Sequence, residues 1–239
     1  MRLYRLVARR IEAGDEAAFP DLSEPVARRR ASGAARIAAR KALAALGGPA
    51  DAALPRAPGR FAVWPEGFVG SLAHDEEFAV AAVARAGDVA ALGVDVEPAE
   101  PLPGDVAEIV LLASERRACV ADPVLSRAIF AAKEAIYKAI NPLDGSSLEY
   151  EDIEVDLGAG AAQLRDGRTL EIVLERSFLG ATRENSLPPR GGGLGRAESS
   201  PPQPSPGTGE GVHRFLVVAL LQPPAKRATS SRASFFRAG

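Results

Sequence analysis

The sequence predicts a mixed α/β fold of the α+β type, in which long helices pack on antiparallel strands. Three observations support this: an alanine-rich segment near the N-terminus, two apolar runs separated by turn residues, and a second helical region followed by further apolar runs. With 239 residues, the chain is long enough for one large domain or two small ones with substantial cores.

The first predicted helix begins at Pro25 and runs to Leu46. Pro25 suits the first turn of a helix, where its missing N–H would have no partner, and Ser23 is a candidate cap. The alanine-rich composition favours the helix, and the pair Gly47-Gly48 ends it.

This helix carries a strip of positive charge. Arg29, Arg36 and Arg40 are seven and four residues apart, so their side chains share one face. The spacing alone leaves two interpretations open, a solvated helix face or a surface that binds phosphate.

Two apolar runs follow, Phe78–Ala84 and Ala90–Val96, and the intervening turn residues predict a hairpin. The second run has the period of two expected for a strand, which puts Asp95 and Glu97 on one face. Neighbouring carboxylates repel each other, so keeping both ionised is costly unless a cation neutralises them. A hard divalent cation such as Mg2+ is the natural candidate.

The remaining elements are two helices and three strands. They are predicted at residues 105–120 and 123–140 for the helices, and at 153–157, 169–176 and 215–221 for the strands. Glu134 in the second helix supplies a third carboxylate, and Lys133 and Lys138 beside it would offset the charge of a metal-bound diphosphate. Both acidic motifs also have ordinary explanations, because Asp-x-Glu arises by chance and Glu134 with Lys138 is a common i,i+4 ion pair.

Residues 181–212 are rich in Pro, Gly and Ser and lack hydrophobic periodicity, which predicts a disordered insertion between two strands. Residues 223–239 are predicted to be a disordered tail. Loop-closure entropy grows only by about 0.6 kcal/mol per doubling of length, so the fold tolerates the insertion.

Composition excludes several classes of protein. A net charge of −2 argues against a protein that coats nucleic acid. The single cysteine, Cys119, rules out an internal disulfide framework and suits a reducing cytosol. The charged N-terminus and the absence of a long apolar run predict no signal peptide and no membrane span, so we expect a cytoplasmic protein.

Four motifs occur in order along the chain. They are W-P-x-G at 64–67, G-S-x-x-H at 70–74, G-V-D-V-E at 93–97 and K-E-x-x-x-K at 133–138. In this order they resemble the 4'-phosphopantetheinyl transferase superfamily, in particular its enterobactin synthase component D-like class.

The resemblance implies two similar α/β halves packed as a pseudo-dimer. The N-terminal half, residues 1–100, would contain the basic helix and the acidic metal strand. The C-terminal half, residues 101–180 with 213–222, would contain the Lys-Glu helix.

The resemblance also implies a reaction, the Mg2+-dependent transfer of 4'-phosphopantetheine from coenzyme A to a serine of an apo carrier protein. Mn2+ is an alternative metal, and adenosine 3',5'-bisphosphate is the released product. The expected partners are acyl, peptidyl or aryl carrier domains of peptide, polyketide or fatty-acid synthases, in siderophore or other secondary-metabolite biosynthesis, and the expected state is a monomer.

The site residues follow from the same resemblance. Asp95, Glu97 and Glu134 would bind the metal, with Glu134 and Lys138 as the catalytic pair. Coenzyme A would be bound by Arg29, Arg36, Arg60, Ser71, His74, Lys133 and Lys138.

The chain departs from the family pattern at several positions. Ala73 and Ala135 stand where a hydroxyl is usual, and loss of a hydrogen bond to a charged group would weaken coenzyme binding by roughly 1.5 to 3 kcal/mol. Two alternatives therefore stay open: a non-catalytic module that binds coenzyme A or a carrier protein, and a Mg2+-dependent phosphohydrolase.

Overall fold

The structure is a computed structural model that describes residues 3–57, 61–179 and 212–223. Their order is β-α-β-β-β-α-α-α-β-β-β-β, with two antiparallel sheets and two helices of 20 residues. The predicted α+β class is confirmed, and the internal symmetry of a pseudo-dimer stays a prediction.

The first sheet and its helix are built from the N-terminal residues. The elements are β1 (Tyr4–Arg10), α1 (Val26–Ala45), β2 (Phe68–His74) and β3 (Phe78–Arg85). The strand order is β1-β3-β2, and all pairs are antiparallel. Helix α1 packs on β3 through small residues such as Ala38 and Ala42 against Ala81 and Val83, which lets helix and sheet approach closely.

The second sheet has the order β4-β8-β7-β6-β5. Its strands are β4 (Ala91–Pro98), β5 (Ile153–Asp156), β6 (Ala161–Leu164), β7 (Thr169–Leu179) and β8 (Val212–Leu221), and its helices are α2 (Gly104–Val110), α3 (Ala113–Ala118) and α4 (Leu125–Asp144). Helix α4 lies on β4 at Gly93, where an added Cβ would sit 1.8 Å from the carbonyl oxygen of Ala135. Only glycine permits this approach, which brings the face of α4 that carries Ala135 and Ala139 onto β4.

The two sheets pack face to face through a shared hydrophobic core. Strand β4 contributes Leu92, Val94 and Val96 to this core, while Gly93 and Asp95 between them face α4. The period-two alternation predicted for this strand is confirmed. The polar side of β4 is therefore buried beneath a helix.

The predicted hairpin of β3 and β4 is wrong. Both edges of β3 are already paired, with β1 and β2, so β4 pairs with β8 instead. Residues 91–98, which the sequence analysis grouped with the N-terminal half, thus belong to the second sheet.

Other boundaries also differ from the prediction. The single helix predicted over 105–120 is two helices, because the backbone is extended at Leu111 and Leu112. Pro25 is the N-cap of α1 without a side-chain cap, and Ser23 instead donates to Asp21 Oδ1. Strands β1, β2 and β6 were not predicted.

The predicted disordered insertion and tail lie outside the described residues, apart from Val212 at the start of β8 and Pro223 after it. Among the residues that are described, no helix combines the length and the apolar character needed to span a membrane.

Candidate active site

A cleft of about 860 Å3 lies between α1 with strand β2 on one side and α4 on the other. Its charged or titratable lining residues are Arg28, Arg36, Arg56, His74, Glu134 and Lys138. Cationic groups of the first wall and the segment beside it thus face an acid and a lysine of α4.

Asp95 does not line the cleft itself: it is buried, with 6% of its surface exposed, behind the cleft residue Lys138. Its Oδ1 accepts a hydrogen bond from Lys138 Nζ at 2.5 Å, whereas Oδ2 is buried without a hydrogen-bond partner among the described residues. Burial raises the pKa of Asp95, the ion pair with Lys138 opposes this, and the charge of Glu134 adds to the increase. The positive charge of Lys138 therefore does not fully compensate for the burial of the Asp95 carboxylate.

Glu97 lies two residues further along β4 and is half-buried. Burial and the neighbouring Asp95 raise its pKa to about 7, although Arg127 donates to Oε2 from Nη1 at 3.2 Å. Asp95 and Glu97 thus repel each other as the sequence predicts.

Glu134 projects from α4 into the cleft. The hydroxyl of Tyr150 donates a hydrogen bond to its Oε1 at 2.8 Å. Burial and this carboxylate raise the pKa of Tyr150, so the hydroxyl keeps its proton. Sequence reasoning missed Tyr150, because nothing in the sequence pairs a residue beyond α4 with one inside it.

The three predicted metal ligands suit Mg2+ in chemistry, since all supply oxygen and Asp95 has an unpartnered buried oxygen. Over the described parts of the chain, however, no three His, Cys, Asp or Glu side chains are grouped as a metal site. Each of the three carboxylates instead accepts a hydrogen bond from a protein donor: Asp95 from Lys138, Glu97 from Arg127 and Glu134 from Tyr150.

Lys133 does not reach the cleft, contrary to the prediction. It is 1% exposed, and its Nζ donates to the carbonyl oxygens of Val110 at 2.8 Å and Tyr150 at 2.9 Å. It also forms an ion pair with Glu115 at 2.8 Å. Adjacent helical residues point about 100° apart, so Lys133 and Glu134 face different sides of α4.

The cationic wall contains only part of the predicted arginine strip. Arg36 lines the cleft but is buried, with Nε donating to Leu54 O at 2.8 Å and its guanidinium 4.0 Å from the Phe19 ring. Burial, with Arg56 and Arg40 nearby, lowers its pKa to about 10. Arg36 is thus a structural part of the wall.

Two arginines that the sequence analysis missed, Arg28 and Arg56, line the cleft, whereas Arg29 does not. Positions 28, 32 and 36 share the face of α1 at spacings of four, which is the signal that could have found Arg28. Arg40 is engaged by the carbonyl oxygen of Ala52 at 2.8 Å. Arg60 lies outside the described residues.

The G-S-x-x-H motif forms β2, and both Ser71 and His74 line the cleft. Desolvation at the cleft wall and the charge of Lys138 lower the pKa of His74. Ala73 and Ala135 do not line the cleft, because their side chains belong to the hydrophobic cores. Their missing hydroxyls therefore do not remove groups from the cleft wall.

Two family models match the chain. The model of the 4'-phosphopantetheinyl transferase N-terminal domain matches residues 21–84, and that of the 4'-phosphopantetheinyl transferase superfamily matches residues 91–181. The boundary between them coincides with the connection from β3 to β4.

Similar curated proteins carry the same family name. The chain is 44% identical over 138 residues to 4'-phosphopantetheinyl transferase Svp of Streptomyces mobaraensis, covering 54% of this chain and 56% of that protein. It is 37% identical to 4'-phosphopantetheinyl transferase Npt of Nocardia iowensis (59% and 65% covered). It is 38% identical to 4'-phosphopantetheinyl transferase PptT of Mycobacterium tuberculosis (57% and 62% covered).

The matches thus span between 56% and 65% of the length of these relatives. The two models together match more than half of the chain, with the cleft between the matched segments. The chain belongs to the 4'-phosphopantetheinyl transferase superfamily.

Proposed function

We propose that this protein transfers 4'-phosphopantetheine from coenzyme A to a serine hydroxyl of an apo carrier protein. The proposal rests on the cleft, in which Arg28, Arg56 and His74 face Glu134 and Lys138. A cationic wall opposite an acidic centre suits a substrate with several phosphates that reacts at one of them. The family membership and the names of the relatives support the same reaction.

The coenzyme's phosphates would lie along the wall formed by α1 and β2. Arg28 and Arg56 are the cations available there, and Arg56 is already oriented by Glu24 at 2.7 Å and stacked over Phe19. His74, whose pKa is lowered, would approach the 3'-phosphate as a neutral imidazole that donates a hydrogen bond. Arg28 lies among the groups that lower the pKa of His74, which puts its charge at the same end of the cleft.

The reacting diphosphate would lie at Asp95, Glu97 and Glu134, the residues proposed to hold Mg2+ or Mn2+. A bound divalent ion would supply positive charge to the diphosphate and complete the charge balance at Asp95. Lys138, which now neutralises Asp95 and lines the cleft, would contact a phosphate oxygen.

The chemical step makes one bond and breaks one. The serine oxygen bonds to the β-phosphorus, the diphosphate P–O bond to the nucleotide breaks, and adenosine 3',5'-bisphosphate leaves. Glu134, which lines the cleft, is the proposed acceptor of the serine proton.

The partners follow from the reaction. We propose apo carrier domains of peptide, polyketide or fatty-acid synthases, a role in siderophore or other secondary metabolism, a monomeric state and action in the cytoplasm. The ordered motifs support placement in the enterobactin synthase component D-like class.

A second candidate is a non-catalytic module that binds coenzyme A or a carrier protein. It is favoured by one observation: over the described residues, the three carboxylates are not grouped as a metal site. The ion pair of Asp95 with Lys138 would then be permanent.

Intact-mass spectrometry separates the two candidates. Apo carrier proteins of peptide, polyketide and fatty-acid type are incubated with the protein, coenzyme A and Mg2+. Transfer adds one phosphopantetheine group to the carrier, and Glu134→Gln should abolish the addition while retaining coenzyme A binding. A protein that binds coenzyme A and modifies no carrier supports the binding module.

A further inference from the structure

Tyr150 follows α4 in the chain, and its side chain contacts the carboxylate of Glu134 near the middle of that helix. It begins a short 3-10 turn, Tyr150–Asp152, between α4 and β5. Its hydroxyl donates to Glu134 Oε1 at 2.8 Å, and its ring lies against Phe130 with a centroid distance of 6.2 Å. Since Phe130 and Glu134 are four residues apart on α4, the tyrosine lies along one face of this helix.

The backbone of Tyr150 is anchored separately. Lys133 Nζ donates to the Tyr150 carbonyl oxygen at 2.9 Å, and the same amine pairs with Glu115 at 2.8 Å. Glu115 is 2% exposed and also accepts a hydrogen bond from the backbone N–H of Val155 at 2.8 Å. A buried ion pair therefore ties the turn to α3, α4 and β5.

These contacts give the Lys-Glu pair of the motif two different tasks. Glu134 faces the cleft, whereas Lys133 faces the protein interior and holds the residue that contacts Glu134. A glutamate side chain has several freely rotating bonds, and a fixed donor restricts the orientation of its carboxylate. The hydrogen bond engages Oε1 and not Oε2.

We propose that Tyr150 is a positioning residue, whose hydroxyl holds the Glu134 carboxylate in one orientation and whose backbone is held by Lys133. The inference rests on the proposed function for the step that this orientation assists. It assigns Lys133 to the support of the site rather than to the substrate.

The direct test is Tyr150→Phe, which removes the hydroxyl and keeps the ring against Phe130. Tyr137→Phe is the matched control, because Tyr137 is a half-buried tyrosine on α4 outside this set of contacts. We expect kcat of Tyr150→Phe to fall about tenfold while KM for coenzyme A stays within about twofold, as expected when an oriented charged hydrogen bond is lost. Equal kcat values for Tyr150→Phe and Tyr137→Phe would overturn the proposal.

A second measurement is independent of turnover. Urea unfolding of the wild-type protein, Tyr150→Phe, Glu134→Gln and the double variant forms a double-mutant cycle. If the changes in unfolding free energy of the two single variants do not add up to that of the double variant, the hydrogen bond is present in solution. If they do add up and the wild-type protein is active, the positioning role of Tyr150 is overturned while the proposed function stands. A wild-type protein that modifies no carrier would instead overturn the proposed function, and with it the catalytic consequence of Tyr150.

Discussion

Asp95 determines the charge balance of the cleft. Its carboxylate is buried, one oxygen is paired with Lys138, and the other has no hydrogen-bond partner among the described residues. Glu134 adds negative charge near Asp95, and burial makes ionisation of Asp95 and Glu97 costly. This charge balance supports the proposal that a divalent cation binds there.

Because of this burial and repulsion, we expect Glu97 to lower the stability of the folded protein as the pH rises. Its pKa is about 7 in the folded protein against an ordinary value of 4.5, so the folded state keeps a proton that the unfolded chain has lost. Stability contributed by this group is complete below pH 4.5 and falls as the pH rises through 7. We expect Glu97→Gln to be more stable than the wild-type protein at pH 8, by on the order of 1–3 kcal/mol.

At pH 4 the two proteins should differ little, because the glutamate is then protonated in both folded and unfolded states. Urea unfolding at the two pH values measures this. An equal difference at pH 4 and pH 8 would mean that the carboxylate is not destabilised by its surroundings.

The buried ion pair of Lys133 with Glu115 should contribute to the stability of the protein. Lys133→Met leaves the buried Glu115 without its cation, which should cost about 3–5 kcal/mol of unfolding free energy. Lys41→Met, at an exposed position of α1, is the control and should change stability by less than about 0.5 kcal/mol. Unchanged stability with a raised KM for coenzyme A would restore Lys133 to the phosphate-binding role that the sequence predicts.

The contact of α4 with β4 positions the side of the cleft that carries Glu134 and Lys138. Gly93 on β4 lies beneath Ala135 on α4, and this approach brings Lys138 to Asp95. The helix also carries Glu134, so a displacement of α4 would separate all the proposed reacting groups at once.

Gly93→Ala should therefore disrupt the site by displacing the whole of α4, and not by removing a single contact. The added methyl group would sit 1.8 Å from the Ala135 carbonyl oxygen, so α4 must move away from the sheet. We expect a loss of about 1–3 kcal/mol or more in stability and a larger loss of kcat than of folded protein. Gly104→Ala, where an added Cβ would have no neighbour within 4 Å, is the control. Equal behaviour of the two variants in denaturation and turnover would show that the close approach is not required.

Periodicity was sufficient to predict α1, α4 and the alternation of β4, because each follows from residues close in sequence. It could not identify the partner of β4, because β8 begins only at Val212, far along the chain, and no local pattern links the two strands. It also could not separate Lys133 from Glu134, because both fit a charged helix segment and only the packing of Glu115 shows which side is buried. The cleft itself combines α1, β2 and α4, and its lining depends on how the two sheets stack.

On the scale of the whole molecule, the two sheets are joined by charge as well as by the shared core. Arg214 on β8 is buried, and its guanidinium donates to Asp75 and Glu77 in the turn between β2 and β3. His74 immediately precedes this turn. The contact therefore ties the cleft wall formed by α1 and β2 to the sheet that carries Asp95 and Glu97.

Arg214→Met should loosen this connection. Removal of the guanidinium leaves Asp75 largely buried without its cation, and we expect a loss of about 3–5 kcal/mol in unfolding free energy, with KM for coenzyme A raised in the folded fraction. Arg117→Met on α3, at an exposed position, is the control and should have little effect. A variant with normal stability and normal KM would show that the hydrophobic core alone orients the halves.

If this cleft performs the proposed transfer, cleavage of coenzyme A is coupled to modification of a carrier serine. Both products of one reaction can be quantified, the modified carrier by intact mass and adenosine 3',5'-bisphosphate by chromatography. We expect equal amounts of both, formed only when the carrier, coenzyme A and a divalent metal are all present. Release of the nucleotide without a modified carrier would exclude the transferase and indicate a phosphohydrolase.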